Sequence, residues 1–461
     1  MKIFERIIKD ELLNHTRQYL NPHQHGFLAS KSCSTNMVGF CDRLSLSLND
    51  NERSDVIYFD FAKAFDSVNH DLILSKLKHK FGVDGTLLKF IKNYLKDRKQ
   101  RVVINNEYSD YLPVLSGVPQ GSIIGPILFV LFINDLPDGL SAGTDLALYA
   151  DDTKISRKIL CENDHFVLQQ DIGYLNNWAA SNKMIFHPNK CKVLSVSLNP
   201  PLLIDTLPFV QFYYSLGNST LDYVLCEKDL GVDMTPRLNF TNQCDRLYSK
   251  ASQQFGLLRR NCYFVNSIKQ RRTLYVTLVR SLFESCSIIW RPTTQSLLSK
   301  LESIQKRATK WILHEEHISY KSDLVYLLKC KEIKLLPLSS RFELNDLLFF
   351  HKIVCNRVEV VLPDYLKYYD GNSRLRSSHL DSLSFVSTIT PKSSSNAFSK
   401  SFFYRTHSLW NQLPFDTRSI VAPDPFKSQV VDYLWSRLNS EIEDIIDLAD
   451  SSSVALDLSN I

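Results

Sequence analysis

Two adjacent carboxylates, Asp151 and Asp152, close the apolar run Leu146-Ala147-Leu148-Tyr149-Ala150. Like charges side by side repel, and aspartate is depleted in strands, so folding alone explains the pair poorly. At a hairpin turn the two side chains project together and hold a divalent cation. A third carboxylate, Asp60, follows an earlier β-type run, Asp55-Val56-Ile57-Tyr58-Phe59. Three carboxylates converging from adjacent strands bind two metal ions for an in-line attack at phosphorus. Taken alone, Asp-Asp is an ordinary exposed turn; the segments around it give it weight.

Phe65 lies just beyond Asp60 in Asp60-Phe61-Ala62-Lys63-Ala64-Phe65-Asp66. An aromatic ring there either packs in the core or sits under the sugar of an incoming nucleotide and excludes a 2′-hydroxyl. Asp66 suits a helix cap or a loop tie. In Leu115-Ser116-Gly117-Val118-Pro119-Gln120-Gly121-Ser122, Gly117 and Gly121 let backbone approach a nucleotide closely. Gln120 offers an amide to a sugar or base edge, and Ser122 can cap the next helix. Lys190, in Asn189-Lys190-Cys191-Lys192, can neutralise a leaving pyrophosphate. Lys228-Asp229-Leu230-Gly231-Val232 reads as a strand into a turn, and Leu230 and Gly231 would grip a primer backbone.

The elements that must position these groups follow from apolar periodicity. Helices are expected over 1–20, 36–50, 70–81, 86–96, 122–135 and 164–181. Strands are expected at 55–60, 191–197 and 223–232, with hairpins at 100–115 and 146–155. From 241 the pattern is helical (241–261, 266–290, 295–313). The Pro/Ser-rich stretch 372–400 reads as a loop or linker, and the last twenty residues as a disordered or loosely helical acidic tail. The fold class is α+β.

The chain has 461 residues, 44% hydrophobic and 22% charged, ample for a sizeable core. Net charge is +5, but residues 241–360 hold 20 Lys+Arg against 10 Asp+Glu. That middle suits a polyanion, whereas the segment from Glu441 onward has no basic residue. The ten cysteines form no CxxC pair, so they read as reduced thiols of an intracellular protein, with nucleus or cytoplasm undecided. The apolar run from Ile127 to Ile133 is too short to span a bilayer. Met1 opens directly into an amphipathic helix pattern without targeting character, as if within a longer ancestral domain.

Gln24-His25-Gly26-Phe27, Asp60 to Asp66, Gly117 to Gly121, Tyr149-Ala150-Asp151-Asp152, Lys190-Cys191-Lys192 and Asp229-Leu230-Gly231, in this order, resemble the reverse transcriptase of a non-LTR (LINE-type, Jockey/CR1-like) retrotransposon. The core resemblance covers about 20–235. Leu301-Glu302-Ser303-Ile304-Gln305-Lys306-Arg307-Ala308 and Trp410-Asn411-Gln412-Leu413-Pro414 extend it, more weakly, to about 435. It implies a right-hand polymerase: fingers and palm over 1–240, a helical thumb over 241–330, a helical C-terminal region over 331–435 and a disordered tail over 436–461. It also implies an N-terminal truncation, because the family's upstream endonuclease and early fingers segment have no counterpart here. The implied activity is RNA-templated addition of dNTPs to a DNA primer with two Mg²⁺ ions, Mn²⁺ substituting, without an obligate protein partner or a membrane. Asp60, Asp151 and Asp152 would be the metal-binding catalytic residues. Phe65, Gly117, Gln120, Gly121, Lys190 and Lys31, the last where the family often has Arg, would contact the dNTP. Tyr149 would pack beneath the primer end, and Arg259, Arg260, Arg271 and Arg272 would track duplex phosphates. The alternative is an RT-derived nucleic-acid-binding protein without turnover; an intron maturase and a two-metal phosphodiesterase are further contenders.

Overall fold

The computed structural model describes residues 2–200, 212–317, 322–369, 381–392 and 396–451. The chain forms two compact units: Met1–Leu230 with Thr235–Arg237, and Gly231–Met234 with Leu238–Ile461.

The first unit is built on a five-stranded sheet. Its elements run α1 (Lys2–Thr16), α2 (Cys33–Asn49), β1 (Arg53–Phe59), α3 (His70–His79), α4 (Gly85–Leu95), β2 (Lys99–Gln100), β3 (Val103–Ile104), β4 (Glu107–Tyr108), β5 (Leu112–Pro113), α5 (Gly125–Phe132), β6 (Thr144–Tyr149), β7 (Asp152–Ile159), α6 (Glu162–Ser181), β8 (Lys192–Val196), β9 (Ser215–Leu216), β10 (Ser219–Thr220), β11 (Asp222–Tyr223) and β12 (Glu227–Asp229). The sheet order is β11-β8-β1-β7-β6. Strand β1 is central and antiparallel to both neighbours, with Phe59 opposite Thr153 and Tyr58 opposite Lys154 and Lys192. Its apolar residues Val56, Ile57 and Phe59 are buried, so the register is pinned by the core. Local chemistry sets the helix starts: Ser32 and Thr35 form a capping box for α2, and Asn69 accepts from Leu72 N to open α3. The helix expected over 122–135 opens later, at Gly125. Ser122 accepts from Gly125 N (3.0 Å) ahead of it, and Pro126, lacking an N–H, sits in the first turn.

The second unit is mostly helical. After β13 (Val232–Met234) come α7 (Thr241–Asn261), α8 (Ile268–Tyr275), α9 (Ser281–Glu284), α10 (Ser287–Trp290), α11 (Gln295–Ile312), α12 (Asp323–Glu332) and α13 (Leu338–Val354). The continuous helix expected over 266–290 is interrupted by a wide π-type turn at Val276–Arg280 and by Cys286 at φ +50°. Beyond α13 lie β14 (Leu366–Tyr368), β15 (Phe385–Ser387), α14 (Asn396–Ser399), α15 (Phe402–Gln412), α16 (Phe415–Arg418) and α17 (Pro423–Ser451). Within 372–400, the parts at 372–380 and 393–395 lie outside the described residues; the rest includes β15 and α14. Residues 436–451, expected in a disordered tail, continue α17, because Leu438 and Ile442 are buried along it. The remainder of that tail lies outside the described residues. Trp290, Trp311 and Trp410 are each at most 1% exposed, which makes them core.

Candidate active site

The hairpin β6–β7 ends on Tyr149 opposite Asp152, leaving Ala150 and Asp151 as its two-residue loop. Ala150 is buried and left-handed, at φ +55°, a position where such hairpins favour glycine. Because β7 pairs with β1 and Phe59 faces Thr153, Asp60 leaves the end of β1 beside Asp152. Tyr58, opposite Lys154, belongs to the same face. The register alone therefore brings the three carboxylates to one sheet end.

Asp60 and Asp152 line a cleft of about 110 Å³ together with Tyr149, Lys190, Lys228 and Leu230, among others, whereas Asp151 stands outside its lining. Lys190 closes a short turn at Pro188–Lys190, and its Nζ lies 3.6 Å from Asp60 Oδ1. Asp152 is pushed up to about 6 by partial burial and by the charges of Asp151, Asp229 and Asp60. Burial, and then Asp60, also raise Asp151. The groups here that could ligate a metal are carboxylate oxygens, a set suited to a hard cation, and their mutual repulsion is what such a cation relieves. As the side chains lie, no three Asp, Glu, His or Cys among the described residues stand close enough to hold a metal ion.

The raised value of Asp152 makes a prediction. A carboxyl raised in the folded state stabilises the fold below its unfolded value, ordinarily 3.8, and that stability is lost as pH climbs through about 6. Asp152→Asn removes the loss. Because Asp152 is solvent-exposed, screening leaves only a small part of that effect: the metal-free variant should melt about 1–2 °C above wild type at pH 7.5 and with it below pH 4. Equal melting temperatures from pH 4 to 8, read by scanning calorimetry, would mean that the carboxylates do not burden the fold.

One residue of the cleft carries a signal the sequence did not give. Lys154 is 4% exposed, lies over the Phe40 ring (4.6 Å) and pairs with Asp229, itself 5% exposed, at 2.5 Å. A buried pair of this kind survives only when its geometry and bonding offset desolvation. It ties β12 to β7, the strand that begins at Asp152.

The Gly117–Gly121 loop lies against the Asp60–Asp66 segment. Gly117 N donates to Val68 O and Val118 N to Phe65 O, Ser116 Oγ to Asp66 O and Gln120 Nε2 to Asp66 Oδ1. Asp66 is thus a loop tie, and Asn69 is the helix cap. Gly117 and Gln120 line a second cleft of about 730 Å³ together with Lys63, Arg98 and Lys99. Phe65 is half-buried; it stacks on Phe129 (4.4 Å) and meets Phe27 edge-on (6.0 Å). Neither Phe65 nor Gly121 lines either cleft. Lys31 donates to Pro22 O (2.7 Å) and lies outside both clefts. Leu230 and Gly231 are both left-handed (φ +46° and +88°), as a tight turn requires.

In the second unit, Arg259 and Arg260 are exposed, Arg259 with Glu316 at 3.4 Å, and Arg272 donates to Lys334 O. Arg271 corrects the expectation of a phosphate contact. It is 5% exposed, stacked on Trp311 and donating to the carbonyls of Val265 and Trp311. A guanidinium so committed cannot turn outward without orphaning those carbonyls. Among the described residues no helix is long and apolar enough to cross a membrane.

The profile of the reverse transcriptase (RNA-dependent DNA polymerase) family matches residues 1–230. Three curated relatives, all from Drosophila melanogaster, align with the chain. The probable RNA-directed DNA polymerase from transposon BS is 29% identical, covering 68% of this chain and 35% of its own length. That from transposon X-element is 26% identical, with 68% and 34% covered. The RNA-directed DNA polymerase from mobile element jockey is 27% identical, with 41% and 22% covered. The chain thus spans about a third of the length of the first two.

Proposed function

Residues 1–230 belong to the reverse transcriptase family, in its LINE-type, non-LTR branch, and from that premise we propose that this chain extends a DNA primer with dNTPs on an RNA template. The observation that carries the proposal is the β1–β7 register, which sets Asp60 beside the Asp151–Asp152 turn with Lys190 at Asp60.

Reverse transcriptases depend on a divalent metal. Asp60 and Asp151 would hold it here, with Asp152 in support; two Mg²⁺ ions, or Mn²⁺ in their place, would acidify the primer 3′-hydroxyl and neutralise the departing pyrophosphate. The chain's own residues do the rest. Lys190 counters charge on the triphosphate. Gly117, Gln120 and Gly121 shape the loop that approaches the nucleotide, and Lys31 adds charge on its phosphate side. Tyr149 supports the primer end, and the Leu230-Gly231 turn grips its backbone. In the helices after 240, the thumb over 241–330 and a supporting region over 331–435, Arg259, Arg260 and Arg272 follow the duplex phosphates with salt-sensitive affinity.

The test is incorporation of dTTP on poly(rA)/oligo(dT) with Mg²⁺ and with chelator. Extension that stops with chelator is expected. A folded protein that binds the duplex and extends nothing would instead be a nucleic-acid-binding relative.

Phe65 makes a narrower prediction. If its ring excludes the 2′-hydroxyl, Phe65→Val should lower the dNTP-over-rNTP ratio of kcat/KM about tenfold, the scale of a size change in an apolar pocket. An unchanged ratio with a lowered melting temperature would assign the ring to packing on Phe129.

A further inference from the structure

The loop that carries Asp151 is held from a distant part of the chain. His25 N donates to Leu148 O (2.8 Å), Leu148 N donates to His23 O (3.0 Å), and Asn36 Nδ2 adds a second donor to Leu148 O (2.9 Å). At the loop itself one side-chain oxygen makes the contact. Gln24 Oε1 accepts from Ala150 N at 2.9 Å and from Gly26 N at 2.7 Å. Gln24 is 1% exposed and Ala150 3%, so without that oxygen the Ala150 amide is a buried donor with no acceptor. Gly26 completes the contact, because a Cβ there would lie 2.3 Å from Ala150 N.

We infer that Gln24 is a positioning residue for the carboxylate pair: by accepting the Ala150 N–H it holds the left-handed loop that aims Asp151 and Asp152. The inference rests on the polymerase reading above for the meaning of those carboxylates, but the hydrogen bond can be tested without it. Gln24 Nε2 is buried with no hydrogen-bond partner among the described residues. The work therefore falls on the oxygen, and the amide nitrogen is dispensable. Two variants separate the atoms. Gln24→Met keeps the length and volume of the side chain and has no acceptor oxygen. Gln24→Glu keeps an acceptor and replaces only the nitrogen.

Two readouts are taken on the full chain. The first is amide hydrogen exchange at Ala150, measured without nucleic acid or metal. The second is steady-state extension of a primed RNA template. Gln24→Met should speed exchange at Ala150 about tenfold or more while leaving β1 amides unchanged, as expected of a local opening. It should lower kcat about 30-fold, within the range for residues that orient metal ligands, with KM for dTTP and duplex affinity within about twofold of wild type. Gln24→Glu should restore Ala150 protection and bring kcat to within about fivefold of wild type. Unchanged Ala150 exchange in Gln24→Met overturns the inference. So does equal impairment of the two variants, which would reduce Gln24 to a filler of volume. If wild type itself extends nothing, the polymerase reading falls, and the exchange result still decides whether Gln24 holds the loop.

Discussion

On the proposed function, Asp151→Asn should leave a folded protein that binds primed duplex and extends it at least about 10³-fold more slowly, a loss on the order of 4 kcal/mol of transition-state stabilisation. The substitution is isosteric at the loop of the β6–β7 hairpin, and the backbone contacts that shape this loop come from Leu148 and Ala150. Geometry should therefore survive while a charged oxygen ligand is lost. Asparagine retains a neutral oxygen, so residual Mn²⁺-supported extension above the Mg²⁺ level is compatible with the assignment. Single-turnover extension beside a duplex-binding titration measures both halves. A variant that extends within tenfold of wild type would remove Asp151 from the reacting centre.

Gly117→Ala should be nearly as severe, for a different reason. Gly117 sits at φ +89°, and a Cβ there would lie 2.8 Å from both Cα and O of Asp66. Neither atom is the end of a flexible side chain, so the loop or the Asp60–Asp66 segment must move. Left-handed strain and overpacking together cost about 3 kcal/mol, or about 10 °C of melting temperature for a unit of this size. Displacement of Gln120 with the loop should raise KM for dNTP about 100-fold. Gly121→Ala, in the same loop, separates strain from contact. Its φ of +77° imposes strain, but nothing lies within 4 Å of the added methyl. It should cost about 1 kcal/mol and raise KM well below the 100-fold of Gly117→Ala, because the loop keeps its seat on Asp66. If the two variants behave alike, contact with Asp66 does not fix the loop.

The strand end and hairpin that carry the carboxylates were legible because their determinants are local. Val56-Ile57-Tyr58-Phe59 and Leu146-Ala147-Leu148-Tyr149-Ala150 are short apolar runs that stop at aspartate, and the observed strands Arg53–Phe59 and Thr144–Tyr149 overlap the expected ones. What failed depends on partners far away in the chain. Arg271 reads like its neighbour Arg272, and only the carbonyls of Val265 and Trp311 bury it. Lys154 gives no sign that it pairs with Asp229 inside the protein. The residues expected on the nucleotide side are gathered only in part: Lys190 reaches Asp60, while Gly117 and Gln120 line a second cleft. The wide turn at Val276–Arg280 interrupts a segment whose periodicity reads as one helix.

The central place of β1 has a consequence for how the molecule comes into being. Arg53 pairs with Ile159 and Ser54 with Val196, so the strand waits for partners made roughly a hundred or more residues later, a topology that folds slowly. During synthesis Val56-Ile57-Tyr58-Phe59 has two unpaired edges and high β-propensity, the profile of a segment that recruits other chains. Ribosome-bound chains halted before residue 150 should therefore engage chaperones and aggregate, whereas chains released after residue 196 should not. Since Asp60 directly follows that strand, the carboxylate site and this exposed edge mature in one event.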